Sequence, residues 1–107
     1  MLFQHQYQFS KRMEMHDITD IVQRDLHKTG IQEGIVMVYT PHTTAGITVN
    51  ENADPDVVRD MINAFERTFP TDHQDYHHFE GNSHAHIKST IFGPGQSFIV
   101  HQGRLLL

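Results

Sequence analysis

The sequence predicts an α+β fold of mixed, largely antiparallel β-sheets packed with two amphipathic helices. Short runs of alternating apolar and polar residues recur along the chain. Two further stretches carry apolar residues at helical spacing, each with its own start and stop signals. The resulting order, β-α-β-β-α-β-β, separates only some strands by a helix, so a uniform parallel sheet is not expected.

Leu2 to Ser10 alternates. Phe3, His5, Tyr7 and Phe9 share one side, and Gln4, Gln6 and Gln8 the other. Period two with aromatic residues predicts a half-buried strand. Asp17 then opens a helix as its N-cap, and Ile18, Ile21, Val22 and Leu26 form the apolar stripe. Gly30 supplies a left-handed exit after His27 and Lys28, where cations suit the helix dipole. Gly34 to Tyr39 is a continuous apolar run rich in branched residues, which predicts a central strand covered on both faces. Pro41-His42-Thr43-Thr44 interrupts it, and Ala45 to Val49 resumes as a hairpin partner or as the same strand bent.

Asp54-Pro55-Asp56 starts the second helix, with an N-cap, a proline at the first helical position and an acid in the first turn. Val58, Met61, Ile62, Phe65 and Phe69 form its stripe, and Pro70 stops it. Thr71 to Ser83 is polar, aromatic and His-rich, and is expected as an ordered loop. His84 to Phe92 alternates again, placing His84, His86 and Lys88 on one face of a strand. Gly93-Pro94-Gly95 is a turn, Phe98 to His101 a strand, Gln102-Gly103 a turn, and Arg104 to Leu107 the start of a last strand.

At 107 residues the chain is expected to be one domain. Its 8 Lys and Arg against 13 Asp and Glu give a net charge of −5 with neutral His. That balance argues against nucleic acid or an anionic membrane as a partner held by bulk charge. The absence of Cys excludes a disulfide framework, a thiolate zinc site and a Cys nucleophile. The start of the chain has no basic region followed by a long apolar run, so a soluble cytoplasmic protein is expected. The 10 His stand out against this background, and five of them (His73, His77, His78, His84, His86) fall close together.

Four segments carry the candidate chemistry. His84, His86 and Lys88 would converge on one strand face, and a His-x-His pair can offer two imidazole nitrogens to one metal. A third His (His42, His77 or His78) would give the three-ligand pattern of catalytic zinc; the plain alternative is a solvated polar face. Thr40 to Gly46 offers Thr43 and Thr44 hydroxyls, the His42 imidazole and small residues that suit an anion, or simply makes a turn. In Asn50-Glu51-Asn52-Ala53-Asp54, the cap role accounts for Asp54 but not for Glu51, a candidate general acid or base. In Asp75 to Asn82, a carboxylate beside imidazoles can orient them, and Asn82 can cap or bind. With no Cys and no Gly-x-Ser-x-Gly elbow, a metal-water, acid/base or anion site fits better than covalent catalysis.

Pro41-His42-Thr43-Thr44-Ala45, Asn50 to Pro55, Asp75-Tyr76-His77-His78, Glu80-Gly81-Asn82, Ala85-His86-Ile87-Lys88 and Gly103 to Leu107, in that order, resemble the YjbQ-like family. The resemblance implies a compact α+β fold, commonly a homotrimer. It implies a site of His42, Glu51, His78 and His86, with Asn82 and Lys88 nearby. The metal set is then His42, His78 and His86 for a divalent cation, zinc above all. Glu51, Lys88 and His42 are the candidate catalytic residues; Thr43, Thr44, Asn82 and Lys88 are the candidate anion contacts. The implied partner is a small phosphorylated molecule or inorganic anion. The implied activity is that of a secondary thiamine-phosphate synthase, which joins an aminopyrimidine diphosphate to a thiazole phosphate. A non-catalytic zinc- or phosphometabolite-binding protein is the alternative. Family members usually continue past the Leu105-Leu106-Leu107 run with a further strand.

Overall fold

The structure, a computed structural model, describes residues 1–107. In chain order the elements are α1 (Thr19–Thr29), β1 (Gly34–Tyr39), α2 (Pro55–Thr68), α3 (Ser83–Phe92), β2 (Gly95–His101) and β3 (Arg104–Leu105). The fold is thus α+β, with three helices and one antiparallel sheet of order β1-β2-β3. The chain divides into two compact units, Met1–Val38 with Ser97–Leu107, and Tyr39–Gln96. No helix is long and apolar enough to cross a membrane.

In the first unit, α1 begins and ends where its sequence signals place it. The Asp17 carboxylate accepts the Thr19 N–H at 3.0 Å, and Gly30 adopts the left-handed conformation at φ 71°. Leu26 from α1 and Val100 from β2 are the buried apolar core. Gln23 clasps the β2–β3 hairpin: its amide donates to the Gly103 carbonyl at 2.9 Å and accepts from the Leu105 N–H at 3.0 Å. The hairpin turns on Gln102 and Gly103, both at positive φ, in the two-residue form that matches strand twist.

Two expectations for this unit are corrected. The strand expected over Leu2 to Ser10 does not form. A strand needs a ladder partner for its N–H and C=O groups. Here the side chains of the aromatic row have other partners. His5 Nε2 donates to the buried Asp25 carboxylate at 2.6 Å, and Tyr7 and Phe9 pack their rings on His16. β1 exists but is not covered on both faces. It is an edge strand, and Ile35 and Met37 are 74% and 63% exposed. Ile99 and Leu106, adjoining through a backbone bond, continue this bare apolar face.

In the second unit, α2 follows its sequence signals closely. The Asp54 carboxylate accepts the Asp56 N–H at 2.9 Å, Pro55 occupies the first turn, and Pro70 follows the last bonded turn. The expected strand over Ala45 to Val49 is absent. Gly46 runs so close to the end of α3 that a Cβ there would stand 2.8 Å from Phe92 Cβ. Only the backbone of Ile47 is tied down, to Gly93 and to the Gln96 side chain.

The largest correction is α3. The segment expected as a strand from His84 to Phe92 is a helix. Its β-branched residues and alternation favour extended chain, but the Asn82 carbonyl accepts from Ala85 and His86 N–H groups and starts a helical ladder. Phe92 meets Phe65 of α2 edge to face at 4.8 Å between ring centroids. Tertiary packing outweighs a propensity worth about 1 kcal/mol across its whole range.

Candidate functional site: a histidine-lined concavity

The helical form of α3 redistributes the residues that a strand would have gathered. Residues two apart on a helix point to nearly opposite sides, whereas residues four apart share a face. His84 and Lys88 therefore pair, with Lys88 Nζ donating to His84 Nδ1 at 2.9 Å, and both are buried. His86 turns the other way. The shared His84, His86 and Lys88 face of the sequence reading is corrected accordingly.

Lys88 is consequently not an amine presented to an open site. Its Nζ also donates to Glu66 Oε2 at 3.3 Å. Glu66 was missed by sequence reasoning. Its signal was available: Ile62, Phe65, Glu66 and Phe69 share the inward stripe of α2, so a carboxylate sits among core positions. Glu66 also accepts both the hydroxyl and the N–H of Thr71 at 2.7 Å. These bonds, the Thr71 hydroxyl first, with Lys88 adding to them, pull the Glu66 carboxyl down to about 2. The network fastens the start of the His-rich loop to α2 and α3.

That loop, residues 71 to 82, is irregular as expected. Gly81 bends it at φ 73°, and its N–H returns to the His78 carbonyl at 3.0 Å. The bend brings His78 against His86, with ring centroids 5.5 Å apart and planes nearly perpendicular. Around this pair opens a concavity of about 470 Å3 lined by Asp75, Tyr76, His77, His78, Ser83, His86 and Ile87. A smaller one, of about 280 Å3, shares Tyr76 and His78 and is otherwise lined by Thr71, Asp72, His73, Gln74 and Gly81. Asn82 lies in sequence between residues of the two linings, and its buried Oδ1 has no hydrogen-bond partner.

The remaining candidates lie elsewhere in the unit. Thr43 is fixed to α3, its carbonyl accepting from Ser89 Oγ at 2.5 Å. His42, Thr44 and Glu51 are exposed, and none of them lines either concavity. Zinc is the metal that the resemblance implies, and the residues present do not fit it. His78 and His86 meet, but no group of three His, Asp or Glu side chains is disposed to hold a metal ion. Two imidazoles fall short of the three or four protein ligands that zinc sites use.

Comparison with known proteins places this geometry in a family. A family model described as UPF0047 protein YjbQ-like matches residues 4–107. The UPF0047 protein YugU of Bacillus subtilis is 51% identical over 102 residues, which is 95% of this chain and 77% of that protein. A UPF0047 protein of Methanocaldococcus jannaschii is 45% identical over 107 residues, covering 100% of this chain and 77% of its own length. Among solved structures, an uncharacterised conserved protein of the same family from Clostridium acetobutylicum superposes with a TM-score of 0.91. It is 46% identical, over 94% of this chain and 78% of that one. A protein of unknown function from Sulfolobus solfataricus gives a TM-score of 0.85 at 29% identity, over 92% and 71%.

Proposed function

Since the chain belongs to the YjbQ-like UPF0047 family, we propose that the larger concavity of its second unit binds a small phosphorylated molecule. The supporting observation is the convergence of three imidazoles, His77, His78 and His86, with the Ser83 hydroxyl on one opening. A neutral imidazole offers one N–H donor; a protonated one offers two donors and a positive charge. Ser83 opens α3, where free N–H groups and the helix dipole favour an anion.

The reaction in this reading is the secondary thiamine-phosphate synthase reaction. An aminopyrimidine carbon bonds to the thiazole nitrogen as its bond to diphosphate breaks. The departing diphosphate gathers negative charge, and imidazole N–H donors placed beside it stabilise that charge in the transition state. His78 and His86 are the residues for this role. His42, Glu51, Thr43 and Thr44 lie outside the lining of this concavity.

The test uses the whole chain. Inorganic phosphate titrated into the protein should bind more weakly by about tenfold in His86→Ala, a loss of about 1.4 kcal/mol. Both thiamine precursors together should yield thiamine phosphate, at a rate that the same variant lowers. Binding that survives with no product formed would leave a phosphometabolite-binding protein; phosphate affinity unchanged by His86→Ala would remove the site.

The homotrimer is proposed on separate grounds, the bare sheet face of Ile35, Met37, Ile99 and Leu106. Exposed apolar patches of this kind mark association surfaces. Sedimentation should give three copies per particle, and Ile99→Lys should shift the protein toward monomer.

A further inference from the structure

We infer that residues 2–9 of one copy of this chain add as a strand to the open edge of β1 in a second copy. This rests on the homotrimer reading and goes beyond its bare sheet face, because it names the backbone joint between copies. Both halves of the joint lie in the first unit: residues 2–9, and residues 34–38 of β1.

Residues 2–9 have the period of a strand and lack its ladder. No N–H or C=O group in this stretch pairs with another backbone group. Its side chains nevertheless hold it in place. His5 bonds Asp25 at 2.6 Å, and Lys28 Nζ stands 5.8 Å from the centre of the Phe3 ring. The Tyr7 and Phe9 rings lie 5.6 and 4.7 Å from that of His16. A segment fastened by side chains, with its backbone groups unspent, has already lost part of the freedom that strand addition costs.

The receiving edge is equally unspent. β1 ends the sheet. Directly after it, the Thr40 N–H donates to the Pro94 carbonyl at 2.8 Å, so the even-numbered residues of β1 turn their backbone groups toward β2. Ile35 and Met37 turn theirs outward. Such edges are usually guarded by lysine, proline or a bulge, yet the Gly34–Tyr39 strand has neither lysine nor proline. Charge sets the direction. Laid antiparallel on β1, residues 2–9 bring the exposed Lys11 and Arg12 beside the exposed Glu33 of the neighbouring copy. Laid parallel, they would bring them past Tyr39, where no carboxylate follows before Glu51. The joint links two different surfaces, so it runs head to tail and closes as a ring.

The experiment mixes full-length copies labelled with different isotopes and records the nuclear Overhauser contacts that pass between copies. These should join residues 2–9 of one copy to residues 34–38 of another. Two variants then isolate the backbone. Met37→Ala and Met37→Pro both strip the apolar side chain from the bare face, and only Met37→Pro removes an outward N–H, a change that an edge strand tolerates. By sedimentation, Met37→Pro should need at least tenfold more protein to assemble than Met37→Ala. The joint is overturned if the two variants assemble alike, if the contacts between copies join residues 2–9 to each other or do not arise, or if the protein stays monomeric. Where Met37→Pro does not fold, the contacts in the wild type decide. Particles of other than three copies that show these contacts uphold the joint and overturn the homotrimer. Three copies without them uphold the homotrimer and overturn the joint.

Discussion

The two units use histidine in different ways. In the first, His5, His16 and His101 each stand within hydrogen-bond distance of a carboxylate: Asp25 at 2.6 Å, Glu14 at 3.1 Å and Glu33 at 3.0 Å. In the second, His73 and His78 lie 3.6 and 3.8 Å from Asp75 and Glu80, beyond that distance, while the His78 and His86 rings meet edge to face. A carboxylate at close range takes up the imidazole donor and makes the residue part of the scaffold. His78 and His86 keep ring nitrogens for a ligand, whereas His73 spends its Nδ1 on the Asp75 N–H at 3.1 Å. The difference is one of neighbours rather than of residue type, and His84 shows it from inside the second unit, where Lys88 makes it structural.

The largest effect expected from this contrast is on stability at Lys88. Lys88→Ala removes a buried amine from between His84 and Glu66 and leaves a gap among packed side chains. The expected loss is about 2–3 kcal/mol by urea denaturation, less than the full cost of breaking a buried pair because Glu66 is partly exposed. Lys88→Met, which fills the space, should recover part of it. In the first unit, His5→Ala leaves the buried Asp25 with Lys28 Nζ at 3.7 Å and should cost about 1 kcal/mol. His101→Ala, at the surface, should cost under about 0.5 kcal/mol. Equal losses at His5 and Lys88 would break the distinction between a tied surface histidine and a buried network.

The same contrast separates what the sequence made legible from what it did not. α1 and α2 were readable because local signals suffice: Asp17 with Gly30, and Asp54-Pro55 with a regular apolar stripe. α3 was misread because alternation over ten residues is shared by a strand and by a short helix with no polar side. Only the Asn82 start and the packing of Phe92 on Phe65 decide between them. The strand over Leu2 to Ser10 failed for the complementary reason, since its period is right but a strand also needs a ladder. For the site, the His-rich loop was legible from composition, but the meeting of His78 with His86 was not: the residues alone paired His84 with His86, and His78 joined His86 only through the family resemblance. The burial of Lys88 was not, because the i, i+4 relation to His84 exists only once the segment is helical. Glu66 was readable in hindsight from its place on the α2 stripe.

The most specific expected effect is on the pH dependence of stability at Glu66. Glu66 is held at about 2, well below its ordinary 4.5, chiefly by the Thr71 hydroxyl and N–H and then by Lys88. A carboxyl lowered on folding stabilises the folded state when ionised. Its contribution is complete above about pH 4.5 and disappears as pH falls through about 2. Because Glu66 is partly exposed, solvent screening keeps this contribution under about 1 kcal/mol. Thermal melts of the wild type and Glu66→Gln between pH 6 and pH 2 should therefore differ most at the upper end and converge at the lower. Other carboxylates in the chain titrate in both proteins, so the difference between the two curves isolates Glu66. Thr71→Val removes the leading cause of the shift and should move the point of convergence upward, toward pH 4.5. A wild-type advantage that stays constant across this range would mean that Glu66 acts through packing alone. The Thr71 bonds would then not be what fastens the His-rich loop, and the second unit would need another reason for holding His78 against His86.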